Sequence, residues 1–138
     1  MNSEPTIQLR LLPVSKPLAE RFDAPFFRSI PKQPGVYLMR DSDDQLLYVG
    51  KSVNLRQRLS SYRYLQPEKH SRRLIRLVHA VRKISWEICE TGQDAELREN
   101  LLLRTHRPKF NRMNTYPNAY FFIGLRQHHT GFALSLTR

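Results

Sequence analysis

The sequence predicts one α+β domain, and three patterns along the chain indicate it. Two β-rich runs, "GVYLMR" and "QLLYVG", flank the polar turn "DSDD", which is typical of a β-hairpin. Three segments with apolar residues at helical spacing follow, interrupted by the alternating run "ISWEICE". A second pair of apolar runs, "YFFIGLR" and "FALSLT", flanks "QHHTG". The resulting order, β-β-α-α-β-α-β-β, is that of an α+β domain.

Residues 1–30 carry no clear periodicity and are interrupted by prolines. We therefore interpret residues 1–30 as an N-terminal extension that wraps around the domain, and residues 31–138 as the domain itself. A length of 138 residues with 40% hydrophobic content is enough for one domain with one core.

The first hairpin is expected to bring two tyrosines together. A four-residue turn over Asp41–Asp44 would place Arg40 opposite Gln45 and, counting outward, Tyr37 opposite Tyr48. Directly opposed residues share one face of a sheet, with Cβ atoms about 5 Å apart. A shift of one residue would separate the two side chains, since it moves one of them to the other face.

The segment "SVNLRQRLSSYRYL" is predicted to be a helix, because Leu55, Leu59 and Tyr62 recur at i, i+4 and i+7. Either Ser52 or Asn54 can cap its N-terminus. A second helix is predicted over residues 71–83, with its buried stripe formed by Leu74, Leu77, Val78, Val81 and Ile84. Its other positions are mostly basic, and they form either a surface that follows phosphates or a merely solvated face.

The third helix, "QDAELRENLLLRTH", has leucines that point in several directions. This predicts a helix buried on much of its circumference. Glu99 falls on a mostly apolar arc of that helix, next to Ala95. Because a buried carboxylate is costly without a partner, Glu99 is expected to face either an arginine or a metal ion.

Charge is the most pronounced feature of the composition. The formal net charge is +11, and residues 51–83 hold ten Lys or Arg against one acid, Glu68. Such a surface favours a polyanion, most often nucleic acid. The single cysteine, Cys89, excludes an internal disulfide, and no apolar run approaches the length of a membrane span. With no signal-peptide pattern either, we expect a cytoplasmic protein with no membrane partner.

Several motifs together resemble one nuclease family. "GVY" at residues 35–37 and "YVG" at residues 48–50 resemble the paired signature of the GIY-YIG nuclease domain, with Val in place of Ile in both halves. "PGVYLM", "YVGKSVNLRQRLSSY", "ETGQDAELRENLLL" and "RPKFN" resemble, in the same order, blocks of the N-terminal nuclease domain of the UvrC excinucleases. The strong match covers residues 34–111. The resemblance implies a GIY-YIG nuclease-like fold, with a small central antiparallel β-sheet flanked by helices.

The resemblance also implies a metal-dependent DNA endonuclease of DNA repair or recombination. It assigns catalytic roles to Tyr37, Tyr48, Lys51, Arg58, Glu99 and Asn111. Glu99 would be the metal ligand of a single Mg²⁺ or Mn²⁺ site, which suits an ion that prefers oxygen ligands and keeps most of its waters. Tyr48 would be the general base with Tyr37 as its orienting or phosphate-binding neighbour, although the reverse assignment stays open. Nearby cations would have to favour the tyrosinate, because free tyrosine has a pKa of about 10.

The expected partner is duplex DNA, including damaged or branched duplex, together with other proteins of a repair or recombination assembly. Basic residues expected to contact the DNA are Arg56, Arg63, Arg72, Arg73, Arg76 and Lys109. The main alternative is a non-catalytic nucleic-acid-binding module on the same scaffold. A ribosome-associated or RNA-processing protein would fit the charge, but it would leave Glu99 on its apolar arc unexplained.

Overall fold

The structure, a computed structural model, describes residues 16–111, 122–128 and 131–137. Residues 1–15 of the predicted extension and the turn residues His129 and Thr130 lie outside the described part. Within it, no helix is both long enough and apolar enough to cross a membrane.

A three-stranded antiparallel sheet forms the centre of the fold. Its strands are β1 (Gly35–Arg40), β2 (Leu46–Ser52) and β3 (Lys83–Ile88), and their order is β2-β1-β3. β1 therefore lies in the middle of the sheet and is buried along most of its length, while β2 lies at an edge. The predicted fold class, a small central antiparallel sheet flanked by helices, is confirmed.

Five helices accompany this sheet in the described residues: α1 (Pro17–Arg21), α2 (Ala24–Ser29), α3 (Leu55–Ser61), α4 (Arg72–Ala80) and α5 (Gly92–His106). A short 3₁₀ turn, Tyr62–Tyr64, extends α3. Asn54 rather than Ser52 caps α3, since the Asn54 side chain accepts a hydrogen bond from the main-chain N–H of Gln57. The predicted C-terminal hairpin is present as β4 (Phe122–His128) and β5 (Gly131–Thr137), which pair with each other.

The predicted register of the first hairpin was wrong by two residues. Tyr37 pairs with Gly50, and Met39 pairs with Tyr48. One residue of the shift comes from the turn, because Asp44 adopts a positive φ of 62° and Asp41 pairs with Gln45.

The second residue of the shift comes from a β-bulge opposite Met39 and Arg40. Met39 pairs with Tyr48 and Arg40 pairs with Leu46, so Leu47 of β2 is the extra residue. Because two single-residue shifts restore the alternation of the strand, Tyr37 and Tyr48 still share one face.

The end of the second helix was also placed too late. α4 ends at Ala80, and β3 already begins at Lys83. Ile84, assigned to the buried stripe of this helix, therefore lies on a strand, where it pairs with Met39. Arg21 from α1 donates to the main-chain carbonyls of Val78 and Val81, at 2.9 and 2.8 Å, and so satisfies groups at the end of α4 that the helix itself leaves free.

The core is divided by the sheet into two clusters. On one face, Tyr37 and Met39 pack against residues of α1 to α4 and the segments that join them, among them Leu18, Phe27, Ile30, Leu55, Leu59 and Leu77. On the other face, Val36, Leu38 and Val49 pack against the α5 residues Ala95, Leu102 and Leu103. Leu18, Phe27 and Ile30 are at most 3% exposed, so this part of the predicted extension belongs to the same core.

α5 is not buried on much of its circumference, as its leucines had suggested. Leu97 is 69% exposed and Leu101 is 55% exposed, while Leu102 and Leu103 face the sheet. A helix that covers one face of a sheet has only one side to bury, so its remaining leucines face water.

Candidate active site

The first hairpin positions two tyrosines on the same face of the sheet. Tyr37 lies on the central strand β1 and is fully buried, whereas Tyr48 lies on the edge strand β2 and is half-buried. Their ring centroids are 6.1 Å apart, with the planes tilted by 37°. The expected proximity is therefore present, but along a diagonal of the sheet rather than between directly opposed residues.

Gly50 makes room for the Tyr37 ring. Tyr37 and Gly50 are paired across the two strands, and a Cβ at residue 50 would overlap Cζ and the hydroxyl oxygen of Tyr37. The glycine of "YVG" is thus required by the close approach of a tyrosine ring to the backbone.

Tyr62 completes a group that the sequence did not predict. Its hydroxyl is 2.7 Å from the hydroxyl of Tyr37, and their rings meet edge to face with centroids 5.9 Å apart. The sequence placed Tyr62 on the apolar side of α3 together with Leu55 and Leu59. The available signal was a tyrosine at a position where leucine would pack equally well, since a buried phenol needs a hydrogen-bond partner.

Arg58 approaches the same group from α3. Its Nε donates a hydrogen bond of 3.3 Å to the Tyr37 hydroxyl, and its guanidinium carbon lies 5.4 Å from the centre of the Tyr62 ring. We refer to Tyr37, Tyr48, Tyr62 and Arg58 as the tyrosine cluster. Because Arg58 is otherwise exposed, its remaining donors are available to an anion from solvent.

Burial decides the protonation of the two enclosed phenols. It raises the pKa of Tyr37 to about 12, although the hydrogen bonds from Tyr62 and Arg58 act in the opposite direction. Burial, together with the neighbouring Tyr37, raises the pKa of Tyr62 as well. Both phenols are therefore neutral at pH 7. Arg58 lowers the pKa of Tyr37, as expected of a nearby cation, but burial outweighs this effect.

A second group of charged side chains lies on the other face of the sheet. Lys51 Nζ is 2.9 Å from Glu96 Oε1, and Lys51 also acts electrostatically on Glu99. We refer to Lys51, Glu96 and Glu99 as the carboxylate cluster. Burial raises the pKa of the half-buried Glu99; Lys51 lowers it, and Glu96 raises it. The cation beside Glu99 is thus a lysine, rather than the arginine that the sequence left open.

The two clusters lie on opposite faces of β2. Lys51 pairs with Val36, which belongs to the α5 face, while Tyr48 belongs to the α1–α4 face. Tyr48 and Lys51 are three residues apart, or roughly 10 Å along an extended strand. Because β2 lies at an edge of the sheet, the two faces meet along this strand.

Asn111 is bound to the outer edge of β2. Its Nδ2 donates to the Val49 carbonyl at 2.8 Å, and its Oδ1 accepts from the Val49 N–H at 3.0 Å. The main-chain N–H of Phe110 donates to the Leu47 carbonyl at 2.9 Å. Asn111 therefore occupies the hydrogen-bonding position of a neighbouring strand and holds the segment after α5 against the site.

The six basic residues expected to bind DNA fall into two groups. Arg56 and Arg63 have contacts within the chain: Arg56 Nε donates to the Ile30 carbonyl at 2.6 Å, and the Arg63 guanidinium lies 4.3 Å from the centre of the Phe27 ring. These contacts join α3 and the 3₁₀ turn that follows it to α2 and its C-cap residue.

Arg72, Arg76 and Lys109 are exposed, and Arg73 is half-buried. Arg72 and Arg76 line a groove of about 480 Å³, together with Pro67 and Ile75. The groove and its two arginines form a basic surface open to solvent. None of the residues that line the groove belongs to either cluster.

The donors near Glu99 fit a cation with few protein ligands. In the described residues, no three His, Cys, Asp or Glu side chains come close enough together to enclose a metal ion. A single carboxylate anchor suits Mg²⁺, which prefers oxygen ligands and retains several waters. Glu99 meets this requirement, since it is half-buried and provides two oxygen atoms at the edge of the sheet.

A family model described as a UvrC-like GIY-YIG domain matches residues 33–112. The chain is 37% identical over 110 residues to the UvrABC system protein C of Neisseria gonorrhoeae, covering 79% of this chain and 18% of that protein. It is 43% identical over 84 residues to the UvrABC system protein C of a Synechococcus species, covering 61% of this chain and 13% of that protein. The chain thus spans less than a fifth of the length of these relatives.

Solved structures show the same fold. The N-terminal GIY-YIG endonuclease domain of UvrC from Thermotoga maritima, bound to magnesium as its catalytic divalent cation, has a TM-score of 0.56 and 23% identity, covering 72% of this chain and all of that one. A tyrosine-to-phenylalanine mutant of the same domain, also bound to its catalytic divalent cation, has a TM-score of 0.56 and 24% identity, covering 62% of this chain and 90% of that one.

Proposed function

The chain belongs to the family of UvrC-like GIY-YIG domains, and from this membership we propose that it is a metal-dependent DNA endonuclease that hydrolyses phosphodiester bonds. The observation that carries the proposal is the family match over residues 33–112, because both the tyrosine cluster and the carboxylate cluster lie within it. Hydrolysis of a phosphodiester requires an activated water, relief of charge on the phosphate and stabilisation of the departing oxygen. The side chains along β2 offer groups for each requirement.

Arg58 is proposed to bind a non-bridging oxygen of the scissile phosphate. Its guanidinium is held by Tyr37 and Tyr62 on one side and is exposed on the other. A forked donor that is already oriented loses little conformational freedom when it binds an oxyanion. Lys51 is proposed to supply a second positive charge from the opposite face of the strand.

Tyr48 is proposed to be the general base that takes the proton of the attacking water. Tyr37 is fully buried and bonded to Tyr62, and burial raises its pKa to about 12, so it is poorly suited to exchange a proton with solvent. Tyr48 is half-buried on the edge strand and is therefore accessible to a water molecule. Tyr37 then acts as the neighbour that orients Arg58.

Glu99 is proposed to hold a single Mg²⁺ or Mn²⁺ ion. The magnesium-bound domain from Thermotoga maritima, which has the same fold, supports the presence of a divalent cation. When bound, such an ion provides Lewis-acid stabilisation of the charge on the phosphate and on the departing oxygen. Asn111 is proposed to close the site by holding the segment that follows α5 against β2.

The proposed substrate is duplex DNA, including damaged or branched duplex. Its phosphates are proposed to be contacted by Arg72, Arg73, Arg76 and Lys109. The guanidinium N–H groups of Arg56 and Arg63 that make no hydrogen bond within the chain are proposed to contact them as well. Because the relatives are named as components of the UvrABC system, we also propose that the chain acts with other proteins of a repair or recombination assembly. A cytoplasmic location is proposed with this role.

The test is nicking of supercoiled plasmid with Mg²⁺ or Mn²⁺ and with EDTA. Glu99→Ala should abolish nicking, and Glu68→Gln, which removes an exposed carboxylate outside both clusters, should not change it. If the protein binds DNA without nicking plasmid, branched and lesion-bearing duplexes are the next substrates. Continued inactivity on those substrates would replace the proposal with a non-catalytic nucleic-acid-binding module.

A further inference from the structure

The ion pair between Lys51 and Glu96 is the starting observation. Lys51 Nζ and Glu96 Oε1 are 2.9 Å apart, with side chains that are 40% and 57% exposed. An ion pair with this exposure contributes little to stability. The pair is therefore weak enough to be broken by a competing anion.

Glu96 also lies next to the proposed metal position. Glu96 and Glu99 are three residues apart on α5, so they lie on the same side of the helix. Lys51 and Glu96 both act on Glu99: Lys51 lowers the pKa of Glu99, and Glu96 raises it. The three side chains thus form one coupled group rather than an isolated pair.

The charge of this group is unfavourable for DNA when no metal ion is bound. With both carboxylates ionised, Lys51, Glu96 and Glu99 sum to one negative charge. Arg58, in contrast, has phenols as its partners in the described part of the chain. A phosphate that approaches the carboxylate cluster would therefore meet a net repulsion and a lysine that is already paired.

The pair also borders an open space. Lys51 and Glu96 line a groove of about 440 Å³, together with Val53, Gly92 and Gln93. A phosphate that enters this groove would lie beside the ammonium of Lys51. Glu96 is then the group that it must displace.

We propose that Glu96 is a positioning residue that keeps Lys51 away from phosphate until a divalent cation is bound beside Glu99, so that binding of DNA at this site depends on the metal ion. The inference rests on the proposed function. A divalent cation changes the net charge of the group from −1 to +1, which makes release of Lys51 to phosphate favourable. By linkage, DNA and the cation each strengthen the binding of the other, and Glu96 increases that coupling.

The experiment measures the affinity for a short fluorescein-labelled duplex by anisotropy, in EDTA and in Mg²⁺. All variants carry Tyr48→Phe, so that cleavage does not disturb the measurement. Removing one nearby negative charge with Glu96→Gln should strengthen binding in EDTA by about 3- to 10-fold. It should reduce the gain that Mg²⁺ provides by a similar factor, whereas Glu68→Gln should change neither value.

Two further measurements extend the test, and the second separates this role from a general effect of charge. Without DNA, Glu96→Gln should weaken the binding of Mn²⁺, followed by electron paramagnetic resonance, because a neighbouring negative charge is lost. In a Lys51→Met background the effect of Glu96→Gln on DNA affinity should shrink, since the two residues act through each other. An undiminished effect in that background would show that Glu96 acts without Lys51 and would overturn the inference.

The outcomes also distinguish this inference from the proposed function. If the wild-type chain nicks plasmid and gains DNA affinity with Mg²⁺ but Glu96→Gln behaves as the control does, only the inference is wrong. If the wild-type chain neither nicks DNA nor gains affinity with Mg²⁺, the proposed function fails and the inference fails with it.

Discussion

On one face of the central sheet Tyr37 is fully buried and hydrogen-bonded to Tyr62, whereas on the other face Lys51 and Glu96 form an ion pair open to solvent. The tyrosine cluster is held by ring packing and by hydrogen bonds within a hydrophobic core. The carboxylate cluster is held mainly by charges that water can screen. Both clusters lie along β2, and they differ chiefly in how deeply each is buried.

The difference indicates a division of tasks. The tyrosine cluster is pre-organised: its enclosed phenols stay neutral at pH 7, and Arg58 is held by Tyr37 and Tyr62. The carboxylate cluster can rearrange, because its ion pair is exposed and can be exchanged for a phosphate or a cation. Three expected results, from the largest effect to the smallest, can break or sharpen this comparison.

The largest effect is expected from the hydroxyl of Tyr48. Tyr48→Phe should reduce the nicking rate by about 10²- to 10⁴-fold, the usual contribution of a general base. Tyr37→Phe should reduce it less, because Tyr37 is proposed to orient Arg58 rather than to transfer a proton. The measurement is the single-turnover nicking rate at saturating Mg²⁺. Full loss in Tyr37→Phe with activity retained in Tyr48→Phe would exchange the two roles.

The next effect concerns two glycines, one beside each cluster. Gly50→Ala should destabilise the chain by about 1–3 kcal/mol, because its Cβ would overlap the buried ring of Tyr37. Gly92→Ala should be neutral or slightly stabilising, because its Cβ would be 3.1 Å from Cγ1 of Val53, a side chain that is 73% exposed and can move. Urea unfolding measures both changes. Equal stabilities for the two variants would show that the tyrosine face is as adaptable as the other.

The smallest effect concerns the stability of the metal-free chain. The folded-state pKa of Glu99 lies above its ordinary value of 4.5, chiefly through burial. The ionised carboxylate therefore opposes folding, and the stability present below the unfolded pKa is lost as pH rises through the folded pKa. Glu99→Gln should thus raise the melting temperature at pH 7 in EDTA, with the difference vanishing at pH values below the unfolded pKa.

Addition of Mg²⁺ is the control for this result. It should stabilise the wild-type chain and leave Glu99→Gln almost unchanged, since only the wild-type chain has the carboxylate. A lower melting temperature for Glu99→Gln in EDTA at pH 7 would mean that the attraction between Glu99 and Lys51 outweighs the cost of burying the carboxylate.

Local signals in the sequence were sufficient for the order of the elements from β1 onward. They did not predict α1 and α2, which lie in the segment interpreted as an extension without clear periodicity. The polar turn "DSDD", the helical spacing of Leu55 and Leu59, and the alternation in "ISWEICE" each depend on neighbouring residues, so each could be interpreted without knowledge of the rest of the chain. The motifs "GVY" and "YVG", together with the downstream blocks that follow in the same order, were sufficient to identify the family, because they combine residue type with position.

Contacts between distant segments could not be predicted in the same way. Tyr62 was placed with the apolar residues of α3, and the sequence offered no way to tell that its hydroxyl meets that of Tyr37. Arg56 and Arg63 are basic and were expected to contact DNA. In the structure they also contact Ile30 and Phe27 within the chain. Basic side chains suit both roles, and only the packing of α2 against α3 reveals the contacts within the chain.

The sequence by itself thus determined the elements from β1 onward, the family and the residue types of the site. The tertiary structure decided the register of the hairpin, the pairing of Lys51 with Glu96, and the placement of the two clusters on opposite faces of β2. The physical reason is the range of the interactions. Turn chemistry and periodicity act over a few residues, whereas a single positive φ at Asp44, a bulge beside Met39 and the docking of α5 act through the whole sheet.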